Sequence, residues 1–398
     1  MKIFQSVNIA GITFRNRIIR SATYEGMCDE KGFPTARYYA SYETLAKADV
    51  GGIITGFAYV SKEGRAMQSA QAGIDAPDKI PFFRKLTDRI HRYGCPVILQ
   101  IAHTGRQTIG HVTGLPVKGA SSKRSVYFRE KTVPYQTREI YGVINKFTDA
   151  VSYAREAGFD GVQIHAAHGY LVHQFLLPGN NNRKDEFGID PETGIGSAFL
   201  EGIIRSVRKR CGSDYPVFVK VSGGIGDEKH FNIDRFTSLI RILNRIQVDA
   251  IEISYGTMDN PFNIFRGEMP VNLILAKNPF FKTHNPVRKL LNKAIIDLWF
   301  RKRTLPFSHG YNLQYAALAK TLTDIPVIVV GGFRNPVEIE QALSSGKADM
   351  VSLSRPFVAE PDIVLKMKND WNYQSLCKNC NYCAVMCDSG EPTKCYKF

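Results

Sequence analysis

"INKFTDAVSYAREAGFDGVQIHAAHGYL", residues 144–171, decides the fold. Ile144, Phe147, Val151 and Ala154 recur at helical spacing on one face, and Gly158 stands where a glycine ends a helix. The run that follows, GVQIHA (161–166), is short and nearly continuous in apolar residues. That pattern fits a strand buried on both faces, as in a parallel sheet. His165 lies near its end, and His168 and Tyr170 follow directly. The unit therefore reads as helix, buried strand, then a polar strand end.

The same rhythm runs along the chain. Apolar runs recur at RIIRSA (17–22), GIITGF (52–57), VILQIA (97–102), GVQIHA (161–166), PVFVKVS (216–222), AIEISY (250–255), PVIVVG (326–331) and DMVSLS (349–354). Helix-like stretches lie between most of them; NPVEIEQALSSG (335–346), for example, enters on Asn-Pro and stops at a glycine. Eight strands alternating with helices predict an α/β fold, a (β/α)8 TIM barrel with a C-terminal cysteine-rich tail. A doubly wound sheet is the alternative, but no strand is followed by GxGxxG. In a barrel the chemistry sits at the C-terminal strand ends. Polar residues do gather there: LQIAHTGRQ (99–107), IHAAHGYL (164–171), Lys220, Gly331-Gly332 and Ser354-Arg355. The last two form a candidate phosphate site, because glycines admit an anion to the backbone N–H groups and Arg355 can pair with it.

The 398 residues are 44% hydrophobic and 22% charged, the composition of a globular protein. No apolar run approaches the roughly 20 residues that span a bilayer. The opening residues lack a basic segment followed by an apolar one, so no export signal is expected and the expected setting is the reducing cytoplasm. The formal charge of +15 favours anionic partners. No compact basic cluster interleaved with aromatics points to nucleic acid, and none is expected as a partner.

Two segments break the rhythm. The barrel is expected to occupy residues 1–368 and the tail 369–398. Within the barrel, residues 257–310 separate the sixth and seventh strands by far more than one helix and carry nine Lys/Arg against three Asp/Glu. A structureless loop of that length is improbable, so a partly helical excursion at the barrel rim is expected. It reads first as a solvated helix with snorkelling lysines, and otherwise as a lid or as a membrane-surface or partner-binding helix. The tail SLCKNCNYCAVMCDSGEPTKC (375–395) holds five of the eight cysteines. Four closely spaced thiolates suit an iron–sulfur cluster or tetrahedral zinc.

His165 and His168, three apart after a buried strand, can converge on one carbonyl oxygen and stabilise developing charge there. They can equally be a metal pair or two satisfied core histidines. Tyr170 can supply a proton.

Several motifs in order, FRNRIIRSATYEG (14–26), QIAHTGR (100–106), the block 158–188, Gly331-Gly332 and LSRPFVAEPD (353–362), resemble the old yellow enzyme or NADH:flavin oxidoreductase family. The resemblance runs through essentially the whole chain and implies a (β/α)8 barrel holding FMN at the top of its strands, with NAD(P)H as reductant. It implies that His165 and His168 hold the activating oxygen of an alkene and that Tyr170 protonates it. For FMN it implies Ser21, Ala22, Thr23 and Tyr24 around the ring, Gly56 or Phe57 near it, Gln100 at its pyrimidine edge, and Lys220 in place of the commoner arginine. Gly331, Gly332, Ser354 and Arg355 are expected at the phosphate, with Ser354 where the family usually has glycine.

The tail resembles the branch related to trimethylamine dehydrogenase, dienoyl-CoA reductase and enoate reductase. That implies a [4Fe–4S] cluster on Cys377, Cys380, Cys383 and Cys395, with zinc or unliganded thiols as alternatives. A second register, Cys380, Cys383, Cys387 and Cys395, stays open. The chain runs three residues past Cys395, so an external electron-transfer protein is an expected partner, or the cluster serves as a staple. The implied substrate is a small molecule with an activated C=C bond, and a homo-oligomer is expected. The alternatives are an amine-dehydrogenating flavoenzyme and an electron-transfer or interaction subunit working through the cysteine tail.

Overall fold

The computed structural model describes residues 1–398. Eight parallel strands close on themselves: β1 (Ile18–Arg20), β2 (Gly52–Ile54), β3 (Val97–Ala102), β4 (Gly161–Ala166), β5 (Val217–Ser222), β6 (Ala250–Ser254), β7 (Val327–Val330) and β8 (Met350–Leu353). β8 pairs back onto β1, so the sheet leaves no open barrel edge. Each apolar run of the sequence is one of these strands. The predicted (β/α)8 barrel is the observed fold.

Helices α1 (Ala36–Lys47), α2 (Ile80–His91), α3 (Thr137–Glu156), α4 (Ala198–Cys211), α5 (Ile233–Arg245), α6 (Leu313–Leu322), α7 (Pro336–Ser344) and α8 (Ile363–Asn369) follow the strands in turn. The opening stretch shows why. A reciprocal Gln136–Glu139 capping box starts α3, and α3 buries Ile144, Phe147, Val151 and Ala154 against the barrel. Gly158, at φ +83°, then turns the chain into β4. In α7 the Asn335 side chain accepts the Glu338 backbone N–H, the cap implied by the Asn-Pro entry.

The barrel interior is layered by the two-residue period of its strands. At the bottom, Ile19, Ile98, Phe218, Ala250, Ile328 and Met350 form an apolar layer, sealed by a hairpin (Val7–Ile9 with Ile12–Phe14) that contributes Ile9, Ile12 and Phe14. Two residues further along these strands stand Ser21, Gln100, Lys220, Glu252, Val330 and Ser352, mostly polar. The apolar plug closes one end, so the polar layer faces the other.

The excursion divides. The short helix Val271–Lys277 and residues Phe281, Ile296 and Phe300 pack with Tyr127, Phe128, Phe262 and Val385 in a separate apolar cluster above the barrel. The helix Pro286–Ile295 has no buried residue. The excursion is thus a wall over the barrel mouth as well as a solvated helix. Residues 381–388 supply Val385 to the same wall, through the tail helix Tyr382–Asp388.

Candidate active site

The polar layer is the floor of a cavity at the C-terminal strand ends, lined by Ser21, Gln100, Lys220 and Ser352. The floor is one hydrogen-bonded network. Gln100 Nε2 donates to Gln163 Oε1 (2.7 Å), and Gln163 Nε2 donates to Glu252 Oε2 (2.9 Å). Ser21 and Ser352 donate to Glu252 Oε1 (2.6 and 2.7 Å), and Lys220 Nζ lies 3.2 Å from the same carboxylate and 2.9 Å from Ser21 Oγ. Burial pushes the Glu252 carboxyl up, but Lys220 and its three hydrogen-bond donors outweigh burial and hold it below the usual range. Lys220 is therefore held in place by a buried carboxylate. Sequence reasoning misses Glu252 and Gln163. Their signal was available: each is a polar residue in the middle of a buried strand, flanked by apolar residues on both sides.

Above the floor stand His165, His168 and Tyr170. The imidazole centroids lie 4.9 Å apart, and the Tyr170 ring lies 4.7 Å from His165. Burial first, then Lys220 for His165 and His165 for His168, drives both imidazoles well below their ordinary pKa, so both are neutral. The Ala167 backbone N–H donates to His165 Nδ1 (3.3 Å), which leaves Nε2 as the protonated donor. His168 Nε2 bonds Ser254 Oγ at 2.8 Å. His168 sits at φ +59°, a costly conformation for a non-glycine residue, held by Ser222 Oγ accepting its N–H and by its carbonyl accepting from Met258 N–H. Tyr170 is buried, its hydroxyl has no partner in the protein, and burial raises its pKa well above that of a free phenol. It stays protonated across the neutral range.

Ala22, Thr23, Tyr24 and Phe57 line the same cavity, and the Phe57 ring packs 5.3 Å from Tyr170 and 6.0 Å from Tyr24. Gly56 does not line it. Its N–H donates to Glu25 Oε1 (2.7 Å), and a side chain there would strike that carboxylate.

The ends of β7 and β8 carry the charge. Gly331, Gly332, Ser354 and Arg355 line the cavity, and Ser354 Oγ bonds Thr23 Oγ1 (2.8 Å). Gly332 has φ +87°, and a Cβ would come within 2.4 Å of the Ser308 carbonyl, so only glycine fits. Sequence reasoning misses Arg334, which also lines this end. Its Nε is buried without a partner, and burial together with Arg355 pushes its pKa down to about 10. Two neighbouring guanidiniums, one with an unsatisfied donor, constitute a site for an anion. These features fit FMN: a polar floor and a lysine for the ring, and a dicationic, glycine-lined end for the phosphate.

The tail lies directly behind that end. Cys377, Cys380, Cys383 and Cys395 line one small void together with Arg355 and Asn381. Cys387 does not; it lines the main cavity, which Cys383 also reaches. All eight cysteines are free, and no three His, Cys, Asp or Glu side chains are drawn together as a metal-holding group. The donor set suits a thiolate-bound metal.

Fold and site together define the class, a (β/α)8 barrel with an arginine- and glycine-lined end at β7 and β8 and a pair of neutral histidines at the end of β4. The chain belongs to the NADH:flavin oxidoreductase / NADH oxidase family, whose model matches residues 2–271 and 281–374. It is 27% identical over 390 residues to an NADH oxidase of Thermoanaerobacter brockii, covering 98% of this chain and 54% of that protein. It is 28% identical to a cinnamate reductase of Clostridium sporogenes, covering 92% and 53%, and 27% identical to an NADPH dehydrogenase of Bacillus subtilis, covering 90% and 92%. The chain thus spans about half the length of the first two and nearly all of the third. The fold is shared with 2-naphthoyl-CoA reductase in complex with 2-naphthoyl-CoA (TM-score 0.80, 21% identity, 98% and 56% coverage). It is also shared with an old yellow enzyme homologue of Zymomonas mobilis (TM-score 0.70, 20% identity, 94% of each chain).

Proposed function

We propose that the protein is an FMN-dependent ene-reductase that reduces an activated alkene, an enone, enoate or enoyl thioester, with electrons from NAD(P)H. The observation that carries this is the trio of neutral His165, neutral His168 and protonated Tyr170 around one cavity. Bound FMN would supply hydride to the alkene β-carbon. Gln100 and Lys220 would hold its ring, and Arg334, Arg355 and the Gly331-Gly332 backbone its phosphate. The His165 Nε2–H donates to the substrate carbonyl oxygen, and His168 stands beside it to share the charge that develops there. The Tyr170 hydroxyl, free of protein partners, delivers the proton to the α-carbon. Net addition is one hydride and one proton. The relatives named as a cinnamate reductase and a naphthoyl-CoA reductase support a carbonyl-activated substrate.

The test is turnover by the FMN-loaded protein. NAD(P)H oxidation coupled to cyclohexenone reduction is expected, and trimethylamine oxidation is not. Trimethylamine turnover without enone reduction would make the protein an amine dehydrogenase, and FMN binding without any turnover would make it an electron-transfer subunit.

For the tail we propose a [4Fe–4S] site on Cys377, Cys380, Cys383 and Cys395, with an external electron-transfer partner. The shared void supports this set over the one that includes Cys387. Iron and acid-labile sulfide are expected in anaerobically purified protein, retained in Cys387→Ala and lost in Cys383→Ala. Zinc without sulfide would replace the cluster reading, and metal loss in Cys387→Ala would select the other register. Free thiols suit a cytoplasmic setting.

A further inference from the structure

The segment 286–303 breaks the rule that a surface helix turns its apolar face inward. Val287, Leu290, Leu291 and Ile295 recur at three- and four-residue intervals, so they form one stripe on the helix Pro286–Ile295, which Leu298 in the following turn extends. That stripe faces solvent: Val287 is 67% exposed, Leu290 69%, Leu291 59% and Leu298 61%. The opposite side attaches the segment to the protein. Ile296 and Phe300 are buried in the wall above the cavity, and the Asn292 side chain donates to the Phe281 carbonyl (2.8 Å). The exposed stripe is therefore held in place from behind, and nothing in the chain covers it.

Charge says what does. Residues 282–303 carry seven Lys/Arg and one acidic residue, Asp297. Asp297 is already paired with Arg301 (3.2 Å). Arg288 follows one edge of the stripe and Lys293 the other at helical spacing, and Arg301, Lys302 and Arg303 end the segment, all exposed. Trp299 is 46% exposed, with the Arg303 guanidinium 3.7 Å from its ring centre. An apolar stripe flanked by cations and an interfacial tryptophan matches a helix lying in the plane of an anionic membrane surface. A second copy of this chain would have to bring an acidic face to the stripe, and a chain of formal charge +15 is poorly suited to provide one. No helix is long and apolar enough to cross a membrane, which fits docking rather than spanning.

We propose that residues 286–303 dock the protein onto anionic lipid bilayers. Leu290, Leu291 and Leu298 enter the headgroup boundary and the Lys/Arg residues bind lipid phosphates. The docking helix is also the outer skin of the cavity wall, because Ile296 and Phe300 line the cavity from its inner side. Docking therefore sets the apolar end of the cavity against the bilayer.

The experiment is cosedimentation of the FMN-loaded full chain with vesicles of phosphatidylcholine alone or with a third phosphatidylglycerol. Binding to the anionic vesicles only is expected, with release at high salt. Leu290→Glu/Leu291→Glu/Leu298→Glu should cut partition by at least about tenfold, with FMN content and circular dichroism unchanged. The chain has two tryptophans, so Trp371→Phe leaves Trp299 as the reporter, and its emission should shift to the blue on anionic vesicles. Absence of partition in the unmodified protein would overturn the proposal. So would a light-scattering mass that falls from dimer to monomer in the triple variant, which would assign the stripe to a second copy. Equal binding to neutral vesicles would overturn the anionic-lipid assignment.

Discussion

Glu252→Gln tests the floor of the site most directly. Glu252 is fully enclosed, and its carboxylate takes hydrogen bonds from Ser21, Ser352 and Gln163 besides facing Lys220 at 3.2 Å. At that distance, with an effective dielectric of about 20, the attraction is about 5 kcal/mol. Glutamine keeps one acceptor oxygen but turns an NH2 toward groups that are themselves donors. It leaves the Lys220 cation buried and unpaired. Breaking a buried pair from one side costs about 3–5 kcal/mol. The assay is urea unfolding of the flavin-free protein followed by circular dichroism. With a slope of about 3 kcal/mol per molar, the midpoint should fall by about 1–1.7 M. Adding Lys220→Met should restore most of the loss, because the uncompensated charge is then gone. A fall below about 0.3 M, or a double variant less stable than Glu252→Gln alone, would refute the view that this pair organises the floor.

Other outcomes follow from single side chains. In Tyr170→Phe, stopped-flow reoxidation of the reduced enzyme by an enone should slow about 10²–10⁴-fold while reduction by NAD(P)H is unchanged. Its stability should change little, since the hydroxyl has no protein partner. Gly332→Ala should weaken FMN binding at least about tenfold by fluorescence titration, because the new Cβ meets the Ser308 carbonyl at 2.4 Å. Glu25 is buried, and burial, only partly offset by Arg20 and the Gly56 N–H, pushes its carboxyl up to about 7. Its folded pKa lies above the unfolded one, so its contribution is complete below about pH 4.5 and is lost as pH rises toward 7. Glu25→Gln should flatten that fall in unfolding curves taken between pH 4.5 and 7.5.

What could be read from the sequence followed periodicity. All eight strands were legible because a strand buried on both faces has an almost uninterrupted apolar run, and Gly158 and Asn335 marked helix ends by local backbone chemistry alone. His165, His168 and Tyr170 were visible because they stand at the end of such a strand and directly after it. Glu252 and Gln163 were hidden for the opposite reason. Their function depends on meeting across the barrel, and sequence distance does not encode that. Arg334 carries no motif of its own, although it stands two residues past Gly332 and shares the anion end with Arg355. Gly56 was grouped with the ring because it neighbours Phe57, but adjacent residues in an extended chain face opposite ways, and Gly56 serves Glu25 instead. The excursion's basic charge suggested a solvated helix. Its aromatic residues, however, were the ones that form the cavity wall.

The tail's position follows from two hydrogen bonds. Cys380 lies between Asn379 and Asn381, both in the left-handed region (φ +56° and +57°). Asn379 Oδ1 accepts from Arg334, and Asn381 Oδ1 accepts from Arg355 Nη1 (2.6 Å). The two arginines of the anion end therefore each hold one side of the thiol loop. Asn381 also donates to the Glu268 carbonyl (2.8 Å), which ties the loop to the excursion. Ordering the loop should order the arginines, so the two sites should be coupled. Asn381→Ala removes the Arg355 acceptor and places a residue that disfavours positive φ beside Cys380. It should lower metal content and weaken FMN binding several-fold together, whereas Cys387→Ala should do neither. A loss of metal in Asn381→Ala with FMN affinity changed by less than about twofold would separate the sites and leave the tail a staple only.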